Sequence, residues 1–236
     1  NLTAVNSGYV DTGADFGSSS VSLIKSKNVA VLSGEGTSSL SFGEVWHFFE
    51  TQLNYPLHII NTRNFNRIDF SKYDVLILPN RYSADKDQLK TLSEYATRGG
   101  TIISIGSSLS NFADKEGFTL KVKKDTLNDT KTGEENLTPY DQLKYVNIKN
   151  AITGSIFKST IDGSHPLAFG YSNEYYSLKL SANAYELLDT GFNVGYFSKN
   201  ITNTSGYAGE NALKNVPSSL LFGIEPKGRG QIIYMV

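Results

Sequence analysis

A serine at a strand-to-helix turn is the first group in this chain that could carry out covalent chemistry. An apolar strand is predicted over Thr101–Ile105, and it leads into Gly106-Ser107-Ser108-Leu-Ser110. This run is a degenerate form of the Gly-x-Ser-x-Gly elbow, which lifts a serine nucleophile above the end of a strand. The spacing indicates that Ser108 is the candidate nucleophile.

A serine hydrolase also needs a base and a group that orients it. His165 is the candidate base, and Glu35 or Asp162 is the candidate orienting carboxylate. Against this hypothesis, position 110 is Ser where close packing of strand on helix favours Gly. Serine is also a common helix N-cap. The favoured interpretation is that Ser107 or Ser108 caps a helix over residues 109–113.

A second candidate lies earlier, at Gly34-Glu35-Gly36, between a predicted strand and a predicted helix. Backbone N–H groups at such a turn can hold an anion. However, the segment lacks the third glycine of a dinucleotide site and the lysine of a phosphate-binding loop. Glu35 would also repel a phosphate. A tight turn with Glu35 held by local backbone donors is the favoured interpretation.

Ligands of α/β sheets bind beyond the carboxyl ends of the parallel strands. The residues expected to line such a crevice are Gly34, Glu35, Gly36, His47, Gly106 and Ser107.

Metal and thiol chemistry have little support in this sequence. There is no cysteine, which excludes disulfides, thiolate zinc sites and thiol nucleophiles. The three histidines, His47, His58 and His165, include no pair at a spacing typical of zinc ligands. We therefore expect no metal and no cofactor.

The composition excludes several classes of partner. With 19% charged residues and a net charge of −1, the chain has no electrostatic basis for binding nucleic acid. No apolar run is long enough to span a bilayer. The aromatic content of 12% favours an exported protein, extracellular or periplasmic. Because the sequence ends in an apolar strand, we expect it to be a fragment of a longer polypeptide.

The first half of the chain alternates strands and helices. Strands are predicted over residues 28–32, 55–60, 73–78 and 101–105, and helices over residues 43–53 and 85–96. Short alternation of this kind predicts a parallel sheet with right-handed crossovers. The fold class is therefore α/β and flavodoxin-like, mainly parallel, with helices on both faces. Trp46, on the first helix, is expected to be buried.

The chain as a whole is predicted to contain one domain. Residues 1–26 are expected to form a linker or N-terminal tether, and residues 27–236 one domain with a polar insert at 114–150. Within the insert, the expected packing anchors are Tyr140, Leu143, Tyr145 and Val146. The remainder is predicted to be antiparallel and β-rich, with strands at 154–157, 175–180, 192–197, 219–222 and 231–235, the last two forming a hairpin.

Several motifs together resemble class I glutamine amidotransferase-like domains over residues 27–236. They are Leu32-Ser-Gly-Glu-Gly36, Gly43-Glu-Val-Trp-His47, Asp74-Val-Leu-Ile-Leu-Pro79, Gly99-Gly-Thr-Ile-Ile-Ser-Ile-Gly106 and Gly228-Arg-Gly-Gln-Ile-Ile-Tyr234. With Ser164-His165-Pro-Leu-Ala-Phe-Gly-Tyr171, they resemble more narrowly the C-terminal module of secreted bacterial zinc carboxypeptidases of the carboxypeptidase A type.

The resemblance implies that the amidotransferase reaction has been lost. Counted from Gly99-Gly100, the position of the nucleophilic cysteine falls on Gly106, and no carboxylate lies two residues after His165. The expected function is a non-catalytic accessory or interaction domain, whose partner is the peptidase domain of the same polypeptide. The alternatives are a serine hydrolase that uses Ser108 and His165, and a module that binds a small ligand or a carbohydrate.

Overall fold

The computed structural model describes residues 4, 6–21, 25–123, 137–201 and 203–236. They form a ten-stranded mixed sheet with helices packed against it. Nine of the strands follow the order β2-β1-β3-β4-β10-β9-β7-β5-β6, and β8 pairs with β5 beside this path. One half of the sheet is parallel and the other half is antiparallel.

The parallel half contains the four strands predicted in the first part of the sequence and the last strand of the chain. They are β1 (Val29–Ser33), β2 (Leu57–Asn61), β3 (Val75–Leu78), β4 (Thr101–Ile105) and β10 (Gly230–Met235). Leu78 pairs with Ser104, and Met235 pairs with Ile105. The carboxyl ends of β3, β4 and β10 therefore meet at one edge of the sheet.

Helices cover both faces of this half, as the alternation of side chains along each strand requires. On one face, Val29 and Val31 pack with Phe42 and Val45 of α1 (Ser39–His47), which continues as a π-helical turn over Phe48–Leu53. On the other face, Ala30 and Leu32 belong to the same buried cluster as three residues of α2 (Lys86–Thr97). These are Leu92, Tyr95 and Ala96.

The prediction that Trp46 is buried is wrong. Its exposed fraction is 43%. Phe42, Val45 and Phe49 follow one another at spacings of three and four residues, so they share one face of the helix and pack on the sheet. Trp46 lies one position beyond Val45 and turns away from that face.

The antiparallel half contains five strands. They are β5 (Ile152–Ile161), β6 (Glu174–Lys179), β7 (Phe192–Phe197), β8 (Asn203–Ala208) and β9 (Ser219–Lys227). Strand β8 is absent from the sequence prediction because its polar, glycine-containing sequence lacks an alternating apolar pattern. The predicted hairpin is β9–β10, and it joins the two halves because β10 pairs with both β4 and β9.

The region of the predicted insert contains a helix, α3 (Tyr140–Asn150), which contacts the short helix α4 (Glu210–Leu213). Residues 124–136 lie outside the described residues. The prediction of packing anchors is wrong for Tyr140, Leu143 and Tyr145, which are exposed, and Val146 is only half-buried. No residue of α3 is buried, so apolar residues here do not indicate a core.

Candidate functional site

The turn after β4 retains an elbow-like backbone without a reactive group. A 3₁₀ helix, Gly106–Asn111, follows β4 directly, and Gly106 adopts a left-handed conformation with φ of 60°. A Cβ atom at this residue would lie 2.9 Å from both Cγ and Oδ1 of Asn80. The Asn80 side chain therefore occupies the space that a larger residue would need.

The Ser108 hydroxyl is buried and fully engaged. Its Oγ accepts a hydrogen bond from the backbone N–H of Ile105 (3.0 Å) and lies 2.7 Å from Oγ of Ser104. The carbonyl oxygens of Ile105 and Leu78 are also within reach as acceptors, at 2.8 and 3.2 Å. Ser108 thus ties the end of β4 to the end of β3, and no imidazole is among its partners in the described part of the chain.

The prediction that Ser107 or Ser108 caps a helix over residues 109–113 is wrong. Both serines lie within the 3₁₀ helix that begins at Gly106. The N-cap residue is Ile105, the last residue of β4, and Ser108 contributes from within the helix, because its Oγ accepts from the backbone N–H of Ile105.

Ser107 joins the turn after β4 to the turn after β3. Its hydroxyl donates to Oδ1 of Asn80 (2.7 Å) and accepts from the backbone N–H of Arg81 (3.1 Å). The backbone N–H of Ser107 donates to the same Asn80 oxygen (3.0 Å). These bonds fix the two turns as one rigid unit at the edge of the sheet.

Arg81 occupies an unusual position in the turn after β3. The backbone N–H of Tyr82 donates to the carbonyl of Pro79 (3.2 Å), and Arg81 has a φ of 72° while Asn80 has no positive φ. This pattern is that of a type II turn, whose third residue is usually Gly or Asn. A long cationic side chain here carries a conformational cost.

His165 does not contact Ser108. It precedes a short 3₁₀ helix (Pro166–Ala168), and its Nδ1 accepts a hydrogen bond from the backbone N–H of Leu167 (3.1 Å). Asp162 accepts bonds from the hydroxyl and the backbone N–H of Ser164, and these bonds lower the pKa of its carboxyl group. The segment is a hydrogen-bonded turn, and the structure does not bring the three predicted hydrolase residues together.

Gly34, Glu35 and Gly36 form the predicted tight turn. Gly34 and Gly36 have φ values of 102° and 81°, and both the backbone N–H and the hydroxyl of Thr37 donate to the carbonyl of Gly34. The Glu35 carboxylate is exposed and pairs with Arg63 at 3.3 Å. It is therefore held by a side chain and not by the backbone donors that the sequence suggests.

His47 lies away from the crevice. It is the last residue of α1, which begins near the carboxyl edge of the sheet and runs back along it. Nine helical residues span roughly 13 Å, so His47 lies toward the opposite edge. Its Nε2 is 3.4 Å from Oγ1 of Thr51.

A pocket of about 390 Å³ opens beside Gly106 and Ser107, and we call it the elbow pocket. It lies between the carboxyl edge of the parallel half and strand β6. Its other lining residues are Asn80, Arg81, Ser177, Leu178, Lys179, Leu180, Ser181, Asn183, Tyr185, Phe197, Leu221 and Val236.

Lys179 is the pocket residue that the sequence prediction missed most clearly. Only 7% of its surface is exposed, and its Nζ donates to the carbonyl of Asn183. Burial lowers the pKa of the ammonium group to about 8, because the charged form loses water. The apolar alternation of Tyr176, Leu178 and Leu180 would place Lys179 on the opposite, outward face. These three residues are exposed and Lys179 is buried, so the sequence pattern gives no signal for it.

Neither a membrane span nor a metal site is found in the described part of the chain. None of its helices combines the length and the apolar character needed to cross a bilayer. Among the same residues, no three His, Asp or Glu side chains gather at a possible metal site.

No protein-family model and no curated protein match the sequence. Solved structures do match the fold. A glutamine amidotransferase from Thermotoga maritima matches at 10% identity and a TM-score of 0.54, over 90% of this chain and 75% of that one. A β-galactosidase from Bacillus circulans sp. alkalophilus matches at 14% identity and a TM-score of 0.52, over 89% of this chain. The α-L-fucosidase isoenzyme 2 from Paenibacillus thiaminolyticus matches at 17% identity and a TM-score of 0.51, over 92% of this chain.

These likenesses concern the fold. They confirm the predicted resemblance at the level of a glutamine amidotransferase-like α/β architecture. The chain spans only 28% and 29% of the lengths of the β-galactosidase and the fucosidase. The link to a carboxypeptidase module is tested by none of these comparisons and stays a prediction.

Proposed function

We propose that this chain is a non-catalytic accessory domain of a longer, secreted hydrolase. The parent enzyme is the zinc carboxypeptidase type that the sequence motifs resemble, and the catalytic zinc belongs to another domain of that polypeptide. In this role the domain packs against the peptidase domain or positions it.

The observation that carries the proposal is that the turn after β4 presents no activated nucleophile among the described residues. Gly106 has no side chain with which to attack a substrate, and Asn80 fills the space where one would stand. Ser108, the remaining nucleophile candidate, is buried and bonded to neighbouring groups. A nucleophilic serine must contact a general base to be activated, and no such contact is made among the described residues.

The size of the matched proteins supports the accessory role. The β-galactosidase and the fucosidase contain this architecture as less than a third of their chains. The domain type therefore occurs within larger hydrolases. A shared fold does not transfer their activity, because function resides in the site and not in the fold.

The size of the natural polypeptide tests whether this chain is one domain of a longer secreted enzyme. An antibody raised against residues 27–236 should detect, in the culture medium or periplasm of the source organism, a polypeptide much larger than 25.9 kDa. Sequencing of that band should reveal a His-x-x-Glu motif upstream. A secreted band of about the mass of this chain, with no further domain, would overturn the proposal.

Catalysis by the isolated chain is a separate test. Release of glutamate from glutamine and hydrolysis of 4-nitrophenyl acetate should not exceed the rate in buffer, and Ser108→Ala should change neither rate. Any turnover above the buffer rate that disappears with Ser108→Ala would instead support the serine hydrolase. Ester hydrolysis above the buffer rate that persists in Ser108→Ala would come from other groups on the protein surface and would not support the serine hydrolase.

A further inference from the structure

We propose that the elbow pocket binds a small organic oxyanion, carried on a carboxylate or a phosphate group, between the side chains of Lys179 and Arg81. Such binding does not depend on the accessory role, since a domain without catalysis can still bind a ligand. Four features support it: the charge of the lining, the burial of Lys179, the backbone of Arg81 and the shape of the pocket.

The lining of the pocket carries two cationic side chains, Lys179 and Arg81, and no acidic side chain among the described residues. Val236, the last residue of the sequence, also lines it, and its carboxyl group forms no ion pair with either cation. The remaining polar groups include the hydroxyls of Ser177 and Ser181, which can donate hydrogen bonds. In a chain whose net charge is −1, this concentration of cations selects for an anion.

Lys179 differs from the surface lysines of the same structure. Lys121 and Lys158 are exposed, and each pairs with a carboxylate, Asp189 and Glu174 respectively. Lys179 is buried, and within the described residues the only hydrogen-bond partner of its ammonium group is the carbonyl of Asn183. An ammonium group has three donors, and the carbonyl of Asn183 accounts for one of them among the described residues.

A buried charge with one partner is costly, and buried charges in proteins are usually paired. The buried carboxylate of Glu225 shows the usual solution, because it accepts from the hydroxyl of Tyr234 (2.8 Å) and the backbone N–H of Thr119 (3.0 Å). Lys179 has no comparable set of partners among the described residues. A bound oxyanion would supply it.

Arg81 reaches the pocket from a backbone conformation that suits glycine better. Its φ of 72° is uncommon for a long side chain, and unusual backbone of this kind clusters at functional sites. No ion pair of Arg81 is found in the described part of the chain. Its guanidinium can bind a carboxylate or a phosphate with two parallel hydrogen bonds.

The apolar part of the lining indicates an organic ligand and not a bare ion. Phe197 and Leu221 line the pocket together with the ring of Tyr185. The volume of about 390 Å³ lies in the range of small-molecule sites. We therefore expect an anionic head between the two cations and an apolar part against these side chains.

Benzoate, phenyl phosphate and benzamide test the proposal directly, because the three probes share one ring and differ in the head group. Titration calorimetry at pH 7 should show binding of benzoate or phenyl phosphate, and at least about tenfold weaker binding of neutral benzamide, as a lost charge pair predicts. A preference for benzoate would identify a carboxylate ligand, and a preference for phenyl phosphate would identify a phosphate ester. Equal affinities of benzamide and both anions, or no binding of either anion, would overturn the proposal.

Two variants locate the binding in the pocket. Lys179→Met should weaken binding of the better anion by about tenfold or more, and Arg81→Gly by about threefold to tenfold. The matched control is Lys158→Met, which removes an exposed lysine outside the lining and should leave the affinity within about twofold. Unchanged affinity in both pocket variants would overturn the proposal.

The pH dependence gives an independent readout. Affinity should fall as the pH rises through about 8, where Lys179 loses its proton in the free protein. The other ionisable groups of the lining are Arg81, the carboxyl group of Val236 and Tyr185, whose pKa is raised by burial. Affinity that stays constant between about pH 7 and pH 9.5 would contradict a role for Lys179.

Discussion

The two walls of the elbow pocket differ in how completely their polar groups are bonded. On the parallel side, the polar side chains of Asn80 and Ser107 bond to each other and to the backbone around them, and Arg81 is the charged residue there, with no ion pair among the described residues. On the antiparallel side, the Lys179 ammonium is buried with a single carbonyl partner among the described residues. Polar groups whose bonding capacity is filled by the protein stabilise the fold, whereas a buried charge with a single partner destabilises it.

The largest effect on stability is expected at Gly106, on the parallel side of the pocket. Gly106→Ala should lower the free energy of unfolding by about 3 kcal/mol, because alanine is strained at a φ of 60° and its Cβ displaces the Asn80 side chain. Urea denaturation measures this loss. In an Asn80→Ala background the same change should cost only about 1 kcal/mol, the strain alone. An equal loss in both backgrounds would refute the steric explanation.

Removal of the buried charge of Lys179 should stabilise the fold, in contrast to the substitution at Gly106. Lys179→Met should raise the free energy of unfolding at pH 7 by about 2 kcal/mol, because a pKa lowered from 10.5 to about 8 costs about 3 kcal/mol and the Asn183 carbonyl loses one bond. Urea denaturation at pH 7 measures the gain, and Lys158→Met should show none. A less stable Lys179→Met protein would contradict this account.

Lys179 should also make the stability of the wild type depend on pH. Between about pH 8 and pH 10.5 the unfolded chain keeps the Lys179 proton and the folded protein does not, so the wild type should gain stability as the pH rises. The advantage of Lys179→Met should accordingly shrink across this window. Thermal unfolding at several pH values measures the trend, and a constant difference would exclude the lysine as its source.

A smaller loss is expected at the buried serine. Ser108→Ala should lower the free energy of unfolding by about 1.5 kcal/mol, because the backbone N–H of Ile105 loses its buried acceptor. Ser110→Ala is the matched control, since the Ser110 hydroxyl is exposed and bonds to the carbonyl of Ser107 alone among the described residues. Chemical denaturation of both variants should separate them, and equal stabilities would mean that the Ser108 bonds contribute little.

The smallest effect should come from the turn after β3. Arg81→Gly should raise the free energy of unfolding by about 0.5 kcal/mol, because relief of the left-handed strain exceeds the entropy that glycine adds to the unfolded chain. Arg98→Gly, at a right-handed helix end, should lower stability instead. The two melting temperatures should therefore shift in opposite directions. A fall in both would argue against strain at Arg81.

The parallel half could be predicted from the sequence because each of its buried strands is a short apolar run between clear turn and cap residues. Asp85 caps α2 with a capping box, and Gly99-Gly100 lies between that helix and β4. The antiparallel half was predicted less well. Strand β8 has no apolar alternation, and α3 has no buried face, so the pattern of residues does not identify either element.

The candidate site was predicted only in part. The turn at Gly106 was recognisable from its strand and its glycine, and the same residues indicated that the nucleophile is missing. Lys179 and Arg81 could not be placed beside this turn, because neither belongs to a sequence motif and both are distant from it along the chain. Only the pairing of strands far apart in sequence brings β6 to the pocket that the turn lines.

The position of β10 also has a consequence for how the protein is made. This strand is the last of the ten in sequence, yet it lies in the middle of the sheet, parallel to β4 and antiparallel to β9. During synthesis, β4 and β9 each keep an unpaired edge until residues 230–235 leave the ribosome. Unpaired edges of this kind promote association with other chains. The nascent protein is therefore vulnerable to aggregation until its central strand is inserted.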